Sequence, residues 1–446
     1  MKMKIVLWSV VSILIVGVAG WLYLRARRPQ VITFDSGDKL VLLGVDYGKR
    51  HAPPGVKPPA ATSTNATIRP RLGRNGTFTT ADDALVVWIR QEHGPNQYMN
   101  CQYYLYDSAG TACVGNSGMN FGNRNRQMSN EVVAVQFNAF PRRERNFVLR
   151  VQKYGPQGPE VTDSKFIIRN PARGSFSAWT PAALPVTQDD EDLSVTLTKL
   201  VAGADMPYQR NQDDANDAMN KGVQATFQVQ RNGKTVTDWQ PVSIITSDAT
   251  GNSVNGWVNQ NNWQDNNDAV VYQYGLWATE PAWKLRCEFS QQADFAANEL
   301  WSVANIPLQP GLQQEMWNYG NNRRNTATNV PVAETELNGF HLKILPAKQF
   351  TDVSPNSQPA GLFQIQTTPS LPEGWHLTLV KLTDDQTNDV GNWNYGTMGN
   401  GTGTTMRFGL RDINGATNLN VTIAVHKSRF VEFTVKPDKA IAAAAQ

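Results

Sequence analysis

The 446-residue chain contains little cysteine and little charge. Its three cysteines, Cys101, Cys113 and Cys287, form no C-x-x-C pair, which argues against a disulfide framework and against a thiolate zinc site. Charged residues make up 18% of the chain, below the roughly 25% of an average globular protein. The net charge is only +3 and no basic stripe accompanies the aromatic residues. Nucleic acid is therefore excluded as a partner.

Local signatures of catalysis are also missing. The chain has no nucleophile elbow, phosphate-binding loop or dinucleotide fingerprint. Its five histidines are far apart and lack the i, i+2 or i, i+4 spacing of local metal sites. We predict no enzyme activity, no metal site and no cofactor, and we expect His341 and His426 to be solvated on polar strand faces. A site assembled from distant strands stays open as an alternative, which would make the protein an extracytoplasmic hydrolase.

Residues 5–24 form the one long apolar run, IVLWSVVSILIVGVAGWLYL, without a charged residue. A helix of this length rises about 30 Å, the thickness of a bilayer core. Trp21 and Tyr23 lie near its end and three arginines follow, a pattern typical of a membrane interface. We predict an uncleaved transmembrane anchor within residues 1–30, with the rest of the chain outside the cytoplasm. The alternative is a cleaved signal peptide.

Period-two alternation dominates the rest of the chain. In GVQATFQVQ, Val223, Ala225, Phe227 and Val229 share one strand face and polar residues share the other. In WKLRCEF, Cys287 falls on the apolar face and is predicted to be a buried thiol. The predicted fold is mainly β, with about three antiparallel β-sandwich domains of immunoglobulin-like kind after the transmembrane helix.

Turn and proline signals divide the chain. A short hairpin is predicted over 31–52 and a proline-rich linker over 53–71, expected to hold the body away from the membrane. Three stretches then end in a strand followed by a terminal strand closed by proline, at Pro171, Pro307 and Pro437. They predict β-sandwiches over 72–171, 185–307 and 330–437.

A resemblance supports the envelope setting. The stretches GDKLVLLGVDYGKRH, at 37–51, and FIIRNPARGSFSAWTPAALPVTQDDEDLSVTLTKL, at 166–200, resemble a group of uncharacterised bacterial single-pass membrane proteins with a β-rich extracytoplasmic body. The resemblance implies a membrane-anchored envelope protein. It carries over no activity and no functional residue.

Two kinds of loop are candidates for binding. Asp-rich and Asn-rich loops around 189–192, 213–217, 248 and 384–389 carry oxygen ligands that calcium prefers, although the same residues are typical of turns. Cys101 and Cys113 flank a predicted hairpin and could form a disulfide. Aromatic and amide residues occur together in WVNQNNWQDNNDAVVYQYGLW, EMWNYGNN and GNWNYG, a combination suited to sugar rings. The possible polysaccharide-binding residues are Trp257, Trp263, Tyr272, Tyr274, Trp317 and Trp393.

These observations predict a single-pass envelope protein with a structural or protein-interaction role. Its partners would be the membrane, through residues 5–24, and either an envelope protein or wall polysaccharide. Polysaccharide binding through the aromatic loops is the alternative function, because Trp also packs as a loop or core anchor.

Overall fold

The computed structural model describes residues 29–57, 77–92, 99–108, 119–121, 130–155, 158–172, 174–205, 221–257, 259–263, 268–273, 275–313, 330–352, 359–399, 402–413 and 415–439. These residues are mainly β, with one short 3₁₀ helix at Ala297–Glu299. None of the helical structure in these ranges is long and apolar enough to cross a membrane. The predicted anchor, 5–24, lies outside them.

Residues 31–169 form unit 1, which contains two sheets. Its strands are β1 (Val31–Thr33), β2 (Lys39–His51), β3 (Phe78–Glu92), β4 (Asn100–Tyr106), β5 (Met119–Phe121), β6 (Asn130–Phe137), β7 (Asn146–Gly155) and β8 (Gly158–Arg169). One sheet has the order β1-β2-β3-β6-β5 and the other has the order β4-β7-β8.

The remaining strands form units 2 and 3. They are β9 (Val186–Asp190), β10 (Leu193–Asp205), β11 (Lys221–Arg231), β12 (Lys234–Thr235), β13 (Trp239–Asp248), β14 (Ser253–Trp257), β15 (Asn259–Trp263), β16 (Ala269–Gln273), β17 (Trp283–Gln291), β18 (Leu300–Gly311), β19 (Ala333–Leu337), β20 (Phe340–Ile344), β21 (Ala347–Phe350), β22 (Gly361–Thr368), β23 (Trp375–Asp384), β24 (Asn392–Gly399), β25 (Thr404–Leu410), β26 (Asn418–Lys427), β27 (Arg429–Val435) and β28 (Asp438–Lys439).

The same pairing order recurs in all three units. In unit 2 one sheet contains β9-β10-β11-β16-β15 and the other contains β13-β17-β27, with β14 added beside β13. In unit 3 the corresponding orders are β19-β20-β22-β25-β24 and β23-β26-β18. In unit 3 the parallel pairing of β18 with β21 joins the two sheets, and in unit 2 β28 pairs in parallel with β10.

Unit 3, residues 300–427, is inserted into unit 2. In unit 1, β8 follows β7 along the chain and pairs with it. In unit 2 the strand that pairs in this way with β17 is β27, which begins only after unit 3 has ended. In unit 3 the same place beside β26 is taken by β18, the first strand of the unit. The chain therefore crosses between the units twice, through residues 292–299 and through Ser428.

Apolar and polar residues alternate along the strands, and the apolar ones form the cores. In β11, Val223, Ala225, Phe227 and Val229 are all buried, and in β17 the four residues from Trp283 to Phe289 on the apolar face are fully buried. The strand predictions for these stretches are confirmed. One continuous apolar cluster runs through units 1 and 2, and unit 3 has its own cluster.

Two expectations from the sequence are corrected by the strand pairing. β2 pairs with β3 from Lys39 opposite Glu92 to His51 opposite Phe78, so residues 53–71 lie in the connection between neighbouring strands of one sheet. They do not separate a hairpin from the body. β18, the strand after Cys287, does not pair with β17 before it but with β26 of unit 3. β27, the strand after His426, does not pair with β26 before it but with β17 of unit 2.

Candidate functional site

Two of the aromatic residues predicted to bind polysaccharide lie on corresponding strands of units 2 and 3. Trp263 lies in β15 and Trp393 lies in β24, and these strands form the same sheet edge in units 2 and 3. Trp257 ends β14, close in sequence to β15. Tyr272, which is half-buried, lies opposite Asn259 in the pairing of β16 with β15. Tyr274 and Trp317 fall outside the described residues.

The cysteines occupy different environments. Cys101 is buried in the core of unit 1, and Cys113 lies outside the described residues, so the disulfide between them stays a prediction. Cys287 is completely buried in unit 2, and this burial raises the pKa of its thiol. The prediction of a buried thiol at this position is confirmed.

Two of the acidic loops considered for calcium are closed turns. The carboxylate of Asp248 accepts hydrogen bonds from the backbone N–H groups two and four residues later and from the side-chain amide of Asn252. Asp384 makes the same three contacts, the last with Asn388. Within the described residues, no three His, Cys, Asp or Glu side chains are grouped to hold a metal ion. Residues 213–217 lie outside this part of the chain.

One Asp-His pair has the order of groups found in hydrolases. His51 is fully buried, and its Nδ1 donates to Asp46 at 2.6 Å while its Nε2 lies 3.3 Å from the hydroxyl of Thr80. The Thr80 hydroxyl donates its only proton to the backbone oxygen of Asp82 at 2.7 Å, so it does not donate to the imidazole. Trp88 also donates to Asp46. We assign this set to holding β2 against β3.

A set of buried and half-buried polar groups lies where the chain crosses between units 2 and 3. We call Glu288, His376, His426 and Ser428 the junction cluster. Glu288, on β17, accepts hydrogen bonds from His376 Nε2 at 2.8 Å and from the Ser428 hydroxyl at 2.5 Å, both at the same carboxylate oxygen. The backbone N–H of Ser428 donates to the carbonyl of Gly374 at 2.8 Å. The cluster thus ties β17 of unit 2 to β23 of unit 3.

His426 is buried, not solvated as the alternation predicts. It is 1% exposed, its Nε2 lies 3.0 Å from the Thr378 hydroxyl, and the ring of Phe295 lies 4.7 Å away between centroids. Phe295 belongs to the segment that crosses from unit 2 to unit 3, so the polar face of β26 is covered by the crossing. Nδ1 of His426 has no hydrogen-bond partner among the described residues.

Electrostatics at the junction depend on burial. Desolvation, with a smaller effect from the neighbouring His376, lowers the pKa of His426 to about 4. Burial of Glu288 acts to raise the pKa of its carboxyl, but the hydrogen bonds from His376 and Ser428 outweigh it and the net shift is downward. At neutral pH the cluster therefore contains a carboxylate and a neutral His426.

The contacts of the junction cluster join units 2 and 3. The Ser428 hydroxyl donates to the carboxylate of Glu288 and not to an imidazole. An ion pair between Arg286 and Glu373 adds a second contact between the two units. Sequence reasoning missed Glu288 and His376 because both lie on strand faces that read as polar and solvated. Only the pairing of β27 with β17 brings them together.

Comparison with known proteins gives no family. No protein-family model matches the chain, and no curated protein is significantly similar to it.

The low pKa of His426 predicts that acid weakens the folded protein. An unfolded histidine takes up its proton near pH 6.5, whereas the folded one does so only near 4, so stability falls as the pH drops between these values. The loss is on the order of 3 kcal/mol. Glu288 adds to it below about pH 4.5, the ordinary value of its carboxyl. Denaturant unfolding of the full chain in detergent at several pH values measures this loss.

A substitution isolates the contribution of His426. His426→Gln should reduce the acid sensitivity, because glutamine does not titrate. His341→Gln is the matched control, since the His341 side chain is partly exposed, 2.8 Å from Glu334 and 3.0 Å from Glu336. Equal loss of stability on acidification in the parent chain and in His426→Gln would contradict the assignment.

Proposed function

We propose that this protein is a single-pass envelope protein, held in the membrane by residues 5–24, whose β units form a scaffold outside the cytoplasm for a structural or protein-interaction role. The pairing of β27 with β17 carries the proposal. Because unit 3 is connected to unit 2 at both of its ends, neither crossing can swing as a single flexible tether would. Such a connection suits a protein that presents surfaces at fixed spacing.

The contact between units 1 and 2 supports the same role. The side-chain amide of Asn252 exchanges two hydrogen bonds with the backbone of Phe140, at 2.9 and 3.2 Å. Arg142 donates to the Thr250 carbonyl, and the Arg143 guanidinium pairs with buried Glu280 at 2.8 Å. These hydrogen bonds cross the contact between units 1 and 2, and the apolar core is continuous beneath them.

We further propose that the units are immunoglobulin-like. The constant-type immunoglobulin order places strands A, B, E and D in one sheet and C, F and G in the other. In unit 1 the orders β2-β3-β6-β5 and β4-β7-β8 match this arrangement, with β1 added at the edge. The same match in unit 2 and, with β18 in the last place, in unit 3 supports a repeated domain.

Localisation tests the proposal directly. Val380 is 40% exposed in unit 3, so Val380→Cys should react with a membrane-impermeant maleimide in intact spheroplasts. The parent chain is the control for its three native cysteines. The chain should stay with the membrane in alkaline carbonate, and deletion of 5–24 should release it. Labelling of Val380→Cys only after the cells are permeabilised would place the body in the cytoplasm and overturn the proposal.

Polysaccharide binding is a second candidate function. The observation that favours it is the equivalent position of Trp263 and Trp393 on the edge strands β15 and β24, each within an asparagine-rich sequence. Flat aromatic faces beside amide groups are suited to stack on sugar rings and to hydrogen-bond their hydroxyls.

Capture by insoluble wall material and exopolysaccharide tests this candidate with the full chain in detergent. Trp263→Ala and Trp393→Ala should each weaken capture by about tenfold, the effect of roughly 1.4 kcal/mol. Trp179→Ala is the matched control, because Trp179 lies outside the apolar cores with Lys284 over its ring. Capture that is unchanged in both variants, or no capture at all, would remove the candidate.

A further inference from the structure

The three-stranded sheet of unit 1 has an outward side of unusual composition, which we call the basic face. On β8 the outward side chains Lys165, Ile167 and Arg169 are all exposed. The register places Arg150 of β7 opposite Lys165 and Val148 opposite Ile167. Ile167 is 54% exposed, the most exposed large apolar side chain described in unit 1.

The charged outward side chains that the structure describes on β4, β7 and β8 are all basic. Arg150 is exposed, and its guanidinium lies 4.8 Å from the ring centre of Tyr106 on β4. Of the outward side chains that the structure describes on β4, β7 and β8, none is acidic. Basic side chains around an aliphatic and an aromatic residue are the composition of surfaces that lie in a membrane interface, where long basic side chains reach the headgroups.

The chain enters unit 1 beside this face. Gln30 lies just before β1, and its side-chain amide donates to the carbonyl of Ile167 at 2.8 Å and accepts from the N–H of Ile167 at 2.7 Å. Val31, the next residue, is 47% exposed. The entry of the chain is therefore fixed at the exposed edge of β8. Only five residues lie between Gln30 and the end of the predicted anchor at Leu24, so the six Cα–Cα steps reach at most about 20 Å.

We propose that the basic face of unit 1 lies against the anionic lipid surface of the membrane. The inference rests on the proposed anchor, which holds the bilayer within reach of the face. Because residues 53–71 connect strands within unit 1, they do not lift the unit away from the bilayer. Lys165 and Arg169 contact lipid phosphates and Ile167 enters the headgroup region. Each basic residue near an anionic surface contributes about 1 kcal/mol, which is about a fivefold change in the population of the contact.

The test measures how close the face lies to lipid headgroups. The full chain carrying Ile167→Cys with a fluorescent label is reconstituted in liposomes that contain a headgroup nitroxide lipid, with either zwitterionic or anionic phospholipid. Val132→Cys is the matched control, because Val132 is 39% exposed on the other sheet of unit 1. The labelled parent chain corrects for the native cysteines. Quenching at position 167 should exceed that at position 132, and only with anionic lipid.

Charge reversal tests the electrostatic contribution. Lys165→Glu combined with Arg169→Glu should reduce the quenching at position 167 several-fold, as should about 1 M salt, which shortens the screening length to about 3 Å. Lys199→Glu with Lys381→Glu makes the same charge change at exposed positions of units 2 and 3 and should leave it unchanged.

The outcomes distinguish failure of the proposed anchor from failure of the proposed contact between the basic face and lipid. A chain that does not float with the liposomes contradicts the anchor. A chain that floats, with position 167 quenched no more than position 132 or equally in both lipids, overturns the inference about the basic face and leaves the anchor standing. Crosslinking of position 167 to a second copy in place of quenching would assign the face to contact between chains and would also overturn it.

Discussion

The antiparallel pairing of β27 with β17 is the interaction on which the rest of the structure depends. It buries Val431, Phe433 and Val435 in the core of unit 2, and burial of each such side chain stabilises by about 1.5–3 kcal/mol. Together they contribute an amount comparable with the whole stability of a typical domain, about 5–15 kcal/mol. Unit 2 is therefore incomplete until the chain has passed through unit 3 and returned.

The junction cluster follows from this topology. Because the chain crosses twice at one place, polar strand ends of units 2 and 3 lie against each other. There the carboxylate of Glu288 accepts hydrogen bonds from both His376 and Ser428. The crossing segment also covers His426, which makes a histidine of ordinary sequence context sensitive to acid. In unit 1, the side-chain amide of Gln30 holds the chain just before β1 against Ile167 of β8.

Strand positions and buried faces could be predicted from the sequence because period-two alternation is a local property. It places Phe227 and Cys287 in the core correctly. Strand partners could not be predicted, since β18 and β27 each follow in the sequence a strand with which they do not pair. The burial of His426 and the meeting of Glu288 with His376 depend on those partners. The sheet order is likewise needed to show that β15 and β24 are corresponding edge strands of units 2 and 3. The sequence shows only that Trp and Asn recur together in both stretches.

Folding of separate segments tests the insertion most directly. Residues 300–427 contain every strand of unit 3 and should unfold cooperatively on their own, whereas residues 185–307 lack β27 and should not fold. A chain ended after Lys427 should lose the cooperative transition of unit 2, and a chain ended after Lys439 should keep it. Calorimetry of these four proteins gives the answer. Cooperative folding of 185–307 together with failure of 300–427 to fold would contradict the insertion.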